Sequence, residues 1–258
     1  MRKHKPKVIA IVGLTASGKS DMALMIAKEI GGEVIAADSR TVYRGMNIGT
    51  AKPNGQRGTS DPATISIKKM FQEKPLMVEG VAHWGFDLVD PDEDFTVADF
   101  KVYAEQKIEE ITKRGHVAVI VGGTGLYVQA LIDNFGFDQT KGEVKYDALQ
   151  IGIDIDRKVV YERIDERVDK MVAEGLVDEV RVLRDKFGCE VKSMTGIGYR
   201  QICAFLDSYI KLVDAIDLVK RETRHYAKRQ ITWFKRDDRI VWVRNVYEAM
   251  EKVSAFLA

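Results

Sequence analysis

A glycine-rich segment near the start of the chain restricts it to a small group of folds. It reads Gly13-Leu14-Thr15-Ala16-Ser17-Gly18-Lys19-Ser20 and fits the pattern G-x-x-x-x-G-K-[ST]. The apolar run Val8–Val12 precedes it, and a helix-forming stretch over 18–30 follows it. This order of strand, phosphate loop and helix predicts an α/β fold. The loop N–H groups, the helix N-terminus and Lys19 are expected to bind a di- or triphosphate.

Strand-like and helix-like segments alternate through the rest of the first half. The pattern predicts strands at 33–37, 86–89 and 117–121, and helices at 95–114 and from Gly125 to Leu131. Continuous apolar strands between helices favour a parallel sheet covered on both faces. Ligands of such sheets lie beyond the carboxyl ends of the strands. The phosphate loop, Asp38 and the Gly122-Gly123-Thr124 turn all follow predicted strands, so we expect them to lie close together.

The second half is predicted to be mainly helical. Residues 134–146 have little periodicity and predict a loop, and a strand is expected at 149–155. Helices follow from Asp156, including a long one over 211–235, and Ile240–Val243 predicts a short strand.

Bulk properties exclude several classes of protein. With 258 residues and 45% hydrophobic content, the chain can form one large domain. The net charge is +1, so a nucleic-acid site has to come from local clustering of cations. The two cysteines, Cys189 and Cys203, have no metal-ligand spacing and predict reduced thiols in a cytoplasmic protein. No apolar run reaches the roughly 18 residues of a membrane span.

Asp38-Ser39-Arg40 follows the second predicted strand. The carboxylate is suited to hold Mg²⁺ or to act as a base, but it can equally be a helix N-cap. The strand at 117–121 has no acidic residue at its end, which argues against an ordinary ATPase.

The segment Lys220–Gln230 predicts a helix with a basic face formed by Arg221, Arg224 and Lys228. Such a face can neutralise a pyrophosphate or contact an RNA backbone, or it can be solvated and paired with acids. Three aromatic residues of this region are predicted to belong to the core: Tyr226, Trp233 and Phe234.

Several motifs in a fixed order resemble the tRNA dimethylallyltransferase family, also called tRNA isopentenyltransferase. They are the phosphate loop, the segments 38–53, 97–100 and 122–127, and the later segments 162–171, 196–199 and 223–234. The resemblance implies an α/β fold with a P-loop NTPase-like parallel sheet flanked by helices and a helical C-terminal part. It also implies transfer of a dimethylallyl group from dimethylallyl diphosphate to N6 of adenosine 37 in tRNA, with release of pyrophosphate.

Residue roles follow from the same resemblance. The implied catalytic residues are Asp38 as the base, Lys19, Arg224 and Thr124. Pyrophosphate is expected to contact Gly13, Thr15, Ala16, Ser17, Gly18, Lys19 and Ser20. The tRNA anticodon stem-loop is expected to contact Asp38, Ser39, Arg40, Thr41, Thr124, Lys228 and Arg229. Mg²⁺ is expected near Ser20, and the protein is expected to be a monomer.

Two departures from the family pattern stand out. The family usually has Gln at the position of Thr41, and it carries a helical insertion where this chain has only a short segment. We therefore predict a catalytic core formed by 1–134 and 148–258 and a shortened remnant of the insertion at 135–147. Loss of an RNA-gripping insert would also suit an enzyme that prenylates AMP, ADP or ATP. The sequence is compatible as well with a P-loop small-molecule kinase or with a non-catalytic RNA-binding relative.

Overall fold

The computed structural model describes residues 5–57, 73–135 and 142–258, and within them the strands form one mixed sheet. Its order is β3-β4-β5-β2-β6-β1-β7-β8. The strands are β1 (Lys7–Val12), β2 (Glu33–Ala36), β3 (Gln56–Arg57), β4 (Leu76–Val78), β5 (Val81–Trp84), β6 (Ala118–Gly122), β7 (Asp147–Ile153) and β8 (Ile240–Val243).

The helices cover both faces of the sheet and make up most of the second half, as the sequence predicts. They are α1 (Lys19–Ile30), α2 (Val97–Lys113), α3 (Gly125–Ile132), α4 (Arg157–Ala173), α5 (Leu176–Phe187), α6 (Tyr199–Leu206), α7 (Leu212–Phe234) and α8 (Val246–Leu257). A 3₁₀ turn, Lys192–Thr195, precedes α6.

The parallel part of the sheet is centred on β1. This strand pairs in parallel with β6, where Val8 lies opposite Ala118, and with β7, where Val8 lies opposite Ala148. The antiparallel pairings lie at one edge, where β4 runs opposite to both of its neighbours, β3 and β5. Every residue of 8–12 is buried because helices cover both faces. The predicted P-loop NTPase-like α/β architecture is confirmed.

One predicted strand is wrong. The chain extends as a strand over Val81–Trp84 rather than over 86–89. Gly85 has a φ of 90° and Asp87 a φ of 54°, so the backbone turns where the apolar pattern suggested a strand. Phe86, Leu88 and Val89 are buried as a loop packed on the core. Burial alone therefore produced a strand-like pattern.

Two apolar clusters hold the layers together. One lies under α2 and α3 and extends to α5 and α6, and it contains the fully buried side chains of Phe100 and Tyr103. The other lies on the opposite face, where Met22 and Ile26 of α1 pack near Ala249 and Val253 of α8. Within the described residues, none of the helices combines the length and the apolar character needed to cross a bilayer.

The prediction of two reduced thiols is wrong. Cys189, in the loop after α5, and Cys203, in α6, form a disulfide with their Cα atoms 6.1 Å apart. That separation lies within the range that a disulfide can bridge. Sequence spacing could not reveal the pair because it arises from the packing of α5 against α6.

Candidate active site

The phosphate loop lies at the carboxyl end of β1 and opens α1. Gly13 and Gly18 have φ values of 138° and 89°, and the non-glycine Ala16 has a φ of 60°. Positive φ at a non-glycine residue costs energy and is concentrated at functional sites. The Ser17 hydroxyl donates to the Leu14 carbonyl at 2.8 Å, which braces the turn from inside. The loop is therefore built as a compact cradle at a helix N-terminus, as its sequence predicts.

Asp38 lies beside this loop because the ends of β2 and β6 approach closely. A Cβ on Gly122 would lie 2.0 Å from the Ala37 carbonyl oxygen, so only glycine permits the approach. Asp38 Oδ1 accepts hydrogen bonds from the N–H groups of Arg40 at 2.8 Å and Thr41 at 3.4 Å. Its Oδ2 atom has no hydrogen-bond partner among the described residues, and Asp38 is one of the residues that line a cavity. One carboxylate oxygen thus fixes the turn and the other is available for chemistry.

Gln230 of α7 braces the two glycine-rich turns against each other. Its Oε1 accepts from the Thr15 N–H at 2.8 Å, and its Nε2 donates to the Gly123 carbonyl at 3.0 Å. The Tyr226 hydroxyl hydrogen-bonds with Gln230 and with Thr124. Burial raises the pKa of Tyr226 to about 12, and the charge of Asp38 acts in the same direction. Tyr226 therefore stays a neutral hydrogen-bonding group at physiological pH.

These elements enclose a cavity of about 390 Å³. Five of the residues predicted from the sequence line it: Thr15, Asp38, Ser39, Arg40 and Arg229. Thr124 lies directly behind the wall, where its hydroxyl accepts from the Ser39 N–H at 3.3 Å. Arg40 donates to the carbonyls of Lys192 and Ser193, which anchors the 3₁₀ turn to the site.

The structure places other predicted residues away from the cavity. Arg224 pairs with Asp165 and lines a separate groove on the outer side of α4 and α7. Thr41 is 7% exposed and is absent from the cavity wall. Lys228 is exposed and is not among the residues that line the cavity. The positions of Arg224 and Thr41 follow from helix rotation and turn geometry, which residue spacing does not determine.

Arg167 is a candidate site residue that the residue-level reasoning missed. It lies on α4, lines the cavity and forms no ion pair or hydrogen bond with any described side chain. Burial lowers its pKa, and its charge in turn lowers the pKa of Lys19 of the phosphate loop. A half-buried guanidinium next to an anion-binding loop is suited to a phosphate ligand. Its place within the segment 162–171 was the one signal that pointed to it.

A second missed residue, Glu179 of α5, holds a segment of the cavity wall in place. Its carboxylate accepts from the N–H groups of Asn47, Ile48 and Gly49, at 2.8 to 3.1 Å, and from the Tyr199 hydroxyl at 2.8 Å. A Cβ on Gly49 would lie 2.6 Å from the Tyr199 ring, so the loop, α5 and α6 interlock closely. Glu179 thereby fixes the wall formed by residues 49–51.

We expect the Glu179→Ala variant to lose about 1 to 3 kcal/mol of unfolding free energy, because several backbone donors lose their acceptor. Urea denaturation measures this loss. The matched control is Glu174→Ala on the preceding turn, which removes only an exposed pair with Lys170 and is expected to cost about 0.5 kcal/mol or less. Equal urea midpoints for the two variants would show that the hydrogen bonds to Glu179 do not stabilise the fold.

The Lys19 ammonium donates to the Leu14 carbonyl at 2.9 Å. Burial lowers its pKa to about 8; Asp38 opposes the shift and Arg167 adds to it. Lys19 is therefore charged below about pH 8 and loses its charge above it.

This pKa predicts a pH-dependent affinity for inorganic pyrophosphate. As the pH rises through about 8, the free protein loses the Lys19 charge, so the dissociation constant increases. Titration calorimetry between about pH 6.5 and about pH 9.5 measures the change. The Lys19→Arg variant keeps its charge over this range and corrects for the ionisation of pyrophosphate itself. If the two proteins show parallel pH dependence, Lys19 does not titrate in this range.

The described residues contain no cluster of three or more His, Cys, Asp or Glu side chains that could hold a metal ion. The Ser20 hydroxyl, at the start of α1, is exposed and hydrogen-bonds with no described residue. One free hydroxyl beside an anion site fits the way Mg²⁺ binds, with few protein ligands and several phosphate or water oxygens.

Sequence comparison places these features in a known context. A family model described as IPP transferase matches residues 41–145 and 136–237, and one described as isopentenyl transferase matches residues 6–60. A curated relative, the tRNA dimethylallyltransferase of Geobacter metallireducens, is 34% identical over 308 aligned positions, covering 93% of each chain. These positions outnumber the 258 residues here, so the relative carries residues without a counterpart in this chain.

Solved structures agree with the sequence comparison. The tRNA isopentenylpyrophosphate transferase of Bacillus halodurans superimposes with a TM-score of 0.83 at 33% identity, over 98% of this chain and 97% of that chain. A tRNA isopentenylpyrophosphate transferase from Staphylococcus epidermidis gives 0.81 at 30% identity, over 98% and 99%.

Proposed function

The chain belongs to the tRNA dimethylallyltransferase family, and on that premise we propose that it transfers a dimethylallyl group from dimethylallyl diphosphate to N6 of adenosine 37 in tRNA. The observation that carries the proposal is the cavity that is lined by the phosphate-loop residue Thr15, by Asp38 and by an apolar wall.

The apolar wall supports a prenyl donor. It is contributed mainly by α4 and by neighbouring segments, through Ile164, Val168, Met171, Ile197 and Val219. A five-carbon hydrocarbon gains favourable free energy from leaving water for such a surface. Thr15 of the phosphate loop and Arg167 line the cavity, and Lys19 lies close enough to interact electrostatically with Asp38 and Arg167. The diphosphate of the same donor would bind at this polar part of the site. Transfer of a γ-phosphate would make no use of the apolar part.

The chemistry assigns a role to each charged group. The adenine N6 amine attacks C1 of the dimethylallyl group, and the bond from C1 to the diphosphate oxygen breaks. Asp38 accepts the proton that the amine loses as the carbon–nitrogen bond forms. Negative charge grows on the departing pyrophosphate, where Lys19, Arg167 and the loop N–H groups stabilise it.

Mg²⁺ fits this site through Ser20. When bound, it would neutralise charge on the diphosphate oxygens. Ser20 would supply one oxygen ligand beside the diphosphate and water.

The acceptor has to reach a recessed base, so the target adenosine must leave its stack in the anticodon loop. Ser39 and Arg40 line the cavity beside Asp38 and are placed to contact the extruded nucleotide. All the residues invoked belong to one chain, and we propose that the enzyme acts as a monomer.

The decisive experiment incubates labelled dimethylallyl diphosphate with tRNA containing adenosine 37 or with AMP. Label on the tRNA supports the proposal, and label on AMP alone would instead identify an adenylate isopentenyltransferase. AMP is included as an acceptor because the relative carries residues without a counterpart in this chain. Loss of an RNA-gripping insert would suit an enzyme that prenylates AMP. Lys19-dependent phosphate transfer from ATP without prenylation would indicate a kinase. RNA binding without any transfer would indicate a non-catalytic relative.

A further inference from the structure

We propose that Cys189 and Cys203 form a reversible thiol–disulfide site, which exchanges with external dithiols and sets how firmly one wall of the catalytic cavity is held. They are the two cysteines of the chain, and they join the loop after α5 to the second turn of α6. The inference rests on the proposed function, because this wall belongs to the cavity assigned to the prenyl donor.

The disulfide closes a loop that contains a large part of the cavity wall. Cys189 and Cys203 lie 14 positions apart in the sequence. Five cavity-lining residues fall between them: Thr195, Gly196, Ile197, Gly198 and Arg200. A cross-link over a loop of this length removes conformations that the open chain could adopt. The oxidised pair therefore restrains this stretch of the wall, and the reduced pair restrains it less.

The other contacts of this stretch leave room for such an effect. The helix α6 has only eight residues, and a helix of that length depends on tertiary contacts. Its first turn is held through Tyr199, whose hydroxyl donates to Glu179 at 2.8 Å. Before this anchor, Ile197 lies between two glycines. The disulfide fixes the next turn of α6, four residues beyond Tyr199, so its loss releases that turn from the loop after α5.

Both oxidation states fit the packing around the pair. Cys203 is 4% exposed, and Cys189 is half-buried. Both sulfurs border the apolar cluster that extends from α2 and α3 to α5 and α6. A protonated thiol behaves as a small, weakly polar group in such surroundings. Reduction is therefore expected to leave the core in place and to remove the tether.

The difference in exposure sets the route of exchange. A thiolate of an external dithiol attacks Sγ of Cys189, forms a mixed disulfide with it and releases Cys203 as a thiolate, which takes up a proton. The second thiol of the reagent, as its thiolate, then attacks the reagent's own sulfur in the mixed disulfide. This step releases Cys189, which is protonated in turn, and leaves the reagent as a cyclic disulfide. Two electrons have then passed to the protein, and exchange with an external disulfide reverses the process.

The affinity for the donor should depend on the oxidation state. A wall that is already ordered loses less conformational entropy when a ligand binds to it. Ile197 belongs both to the tethered stretch and to the apolar wall of the cavity. We therefore expect the oxidised protein to bind dimethylallyl diphosphate more tightly. By thermodynamic linkage, bound donor should make the disulfide harder to reduce by the same factor.

The test compares the oxidised and reduced forms of one preparation, treated with glutathione disulfide or with dithiothreitol. Alkylation with iodoacetamide followed by mass spectrometry verifies the state, because both cysteines react only when reduced. On reduction, amide hydrogen exchange without ligand should accelerate several-fold over 194–200 and stay unchanged over the phosphate loop at 13–20. Titration calorimetry should give a dissociation constant for dimethylallyl diphosphate at least about 5-fold higher for the reduced form.

Cys189→Ala is the matched control, because it cannot form the disulfide and removes a half-buried sulfur. It should resemble the reduced form in both measurements, and dithiothreitol should change neither. The proposal is overturned if two cysteines are alkylated under both conditions, or if exchange over 194–200 is the same in both states. Equal affinity of the two states for a donor that does bind also overturns it. Exchange that follows the oxidation state, in a protein that transfers no prenyl group in either state, would instead refute the proposed function alone.

Discussion

Asp38→Asn is expected to lower the rate of prenyl transfer at least about 100-fold, because a positioned base contributes typically 10² to 10⁴ to such a step. The asparagine Oδ1 can still accept from the N–H groups of Arg40 and Thr41, so the turn that carries the residue keeps its shape. Single-turnover transfer at saturating donor and tRNA measures the loss.

The same substitution has a second consequence at Lys19. The Asp38 charge opposes the lowering of the Lys19 pKa, so its removal lowers that pKa further. Pyrophosphate affinity should then decline at a lower pH than in the unmodified protein. Asp92→Asn, an exposed position, serves as the control for both measurements. Transfer by Asp38→Asn within a few-fold of the normal rate would exclude the carboxylate as the base.

Arg167→Gln is expected to weaken binding of dimethylallyl diphosphate about 10- to 150-fold, the equivalent of one charge-assisted hydrogen bond worth about 1.5 to 3 kcal/mol. Titration calorimetry with the donor or with pyrophosphate measures the change. Arg163→Gln is the matched control, because Arg163 lies one turn earlier on α4 and is exposed.

An independent readout confirms that Arg167 acts near Lys19. Arg167 lowers the Lys19 pKa, so its removal should move the pH dependence of pyrophosphate affinity to higher pH. If Arg167→Gln binds pyrophosphate as tightly as the unmodified protein and Arg224→Gln binds it weakly, then Arg224 rather than Arg167 contacts the pyrophosphate.

The parts of the site that depend on local chain geometry could be predicted from the sequence. Glycines at 13, 18 and 122 carry positive φ or close backbone approaches that other residues cannot provide. The strands at 8–12 and 118–122 are apolar throughout because they are buried on both faces. These features follow from steric and hydrophobic constraints within a few residues, so the phosphate loop and Asp38 were correctly brought to one edge of the sheet.

The parts that depend on how helices pack could not be predicted in the same way. Arg167 and Arg224 both belong to charged helical segments, and only the rotation of α4 against α7 decides which one lines the cavity. The four hydrogen bonds to Glu179 and the disulfide between Cys189 and Cys203 join segments that packing alone brings together. Trp233 was predicted to be a core residue because it follows Val219 and Tyr226 at a spacing of seven, which is typical of one apolar helix face. The buried face of α7 ends before Trp233, whose side chain is exposed.

The central place of β1 constrains the order in which the protein can fold. Val8 finds one partner at Ala118 and the other at Ala148, so both neighbours of the first strand are made long after it. Pairing of the first strand with these neighbours closes long loops. The chain loses conformational entropy before the contacts between the strands form, which slows folding. During synthesis, both edges of the apolar strand β1, which leads into the phosphate loop, stay unpaired until β6 and β7 have been made. The strand that leads into the phosphate loop is thus exposed to aggregation until its partners have been made.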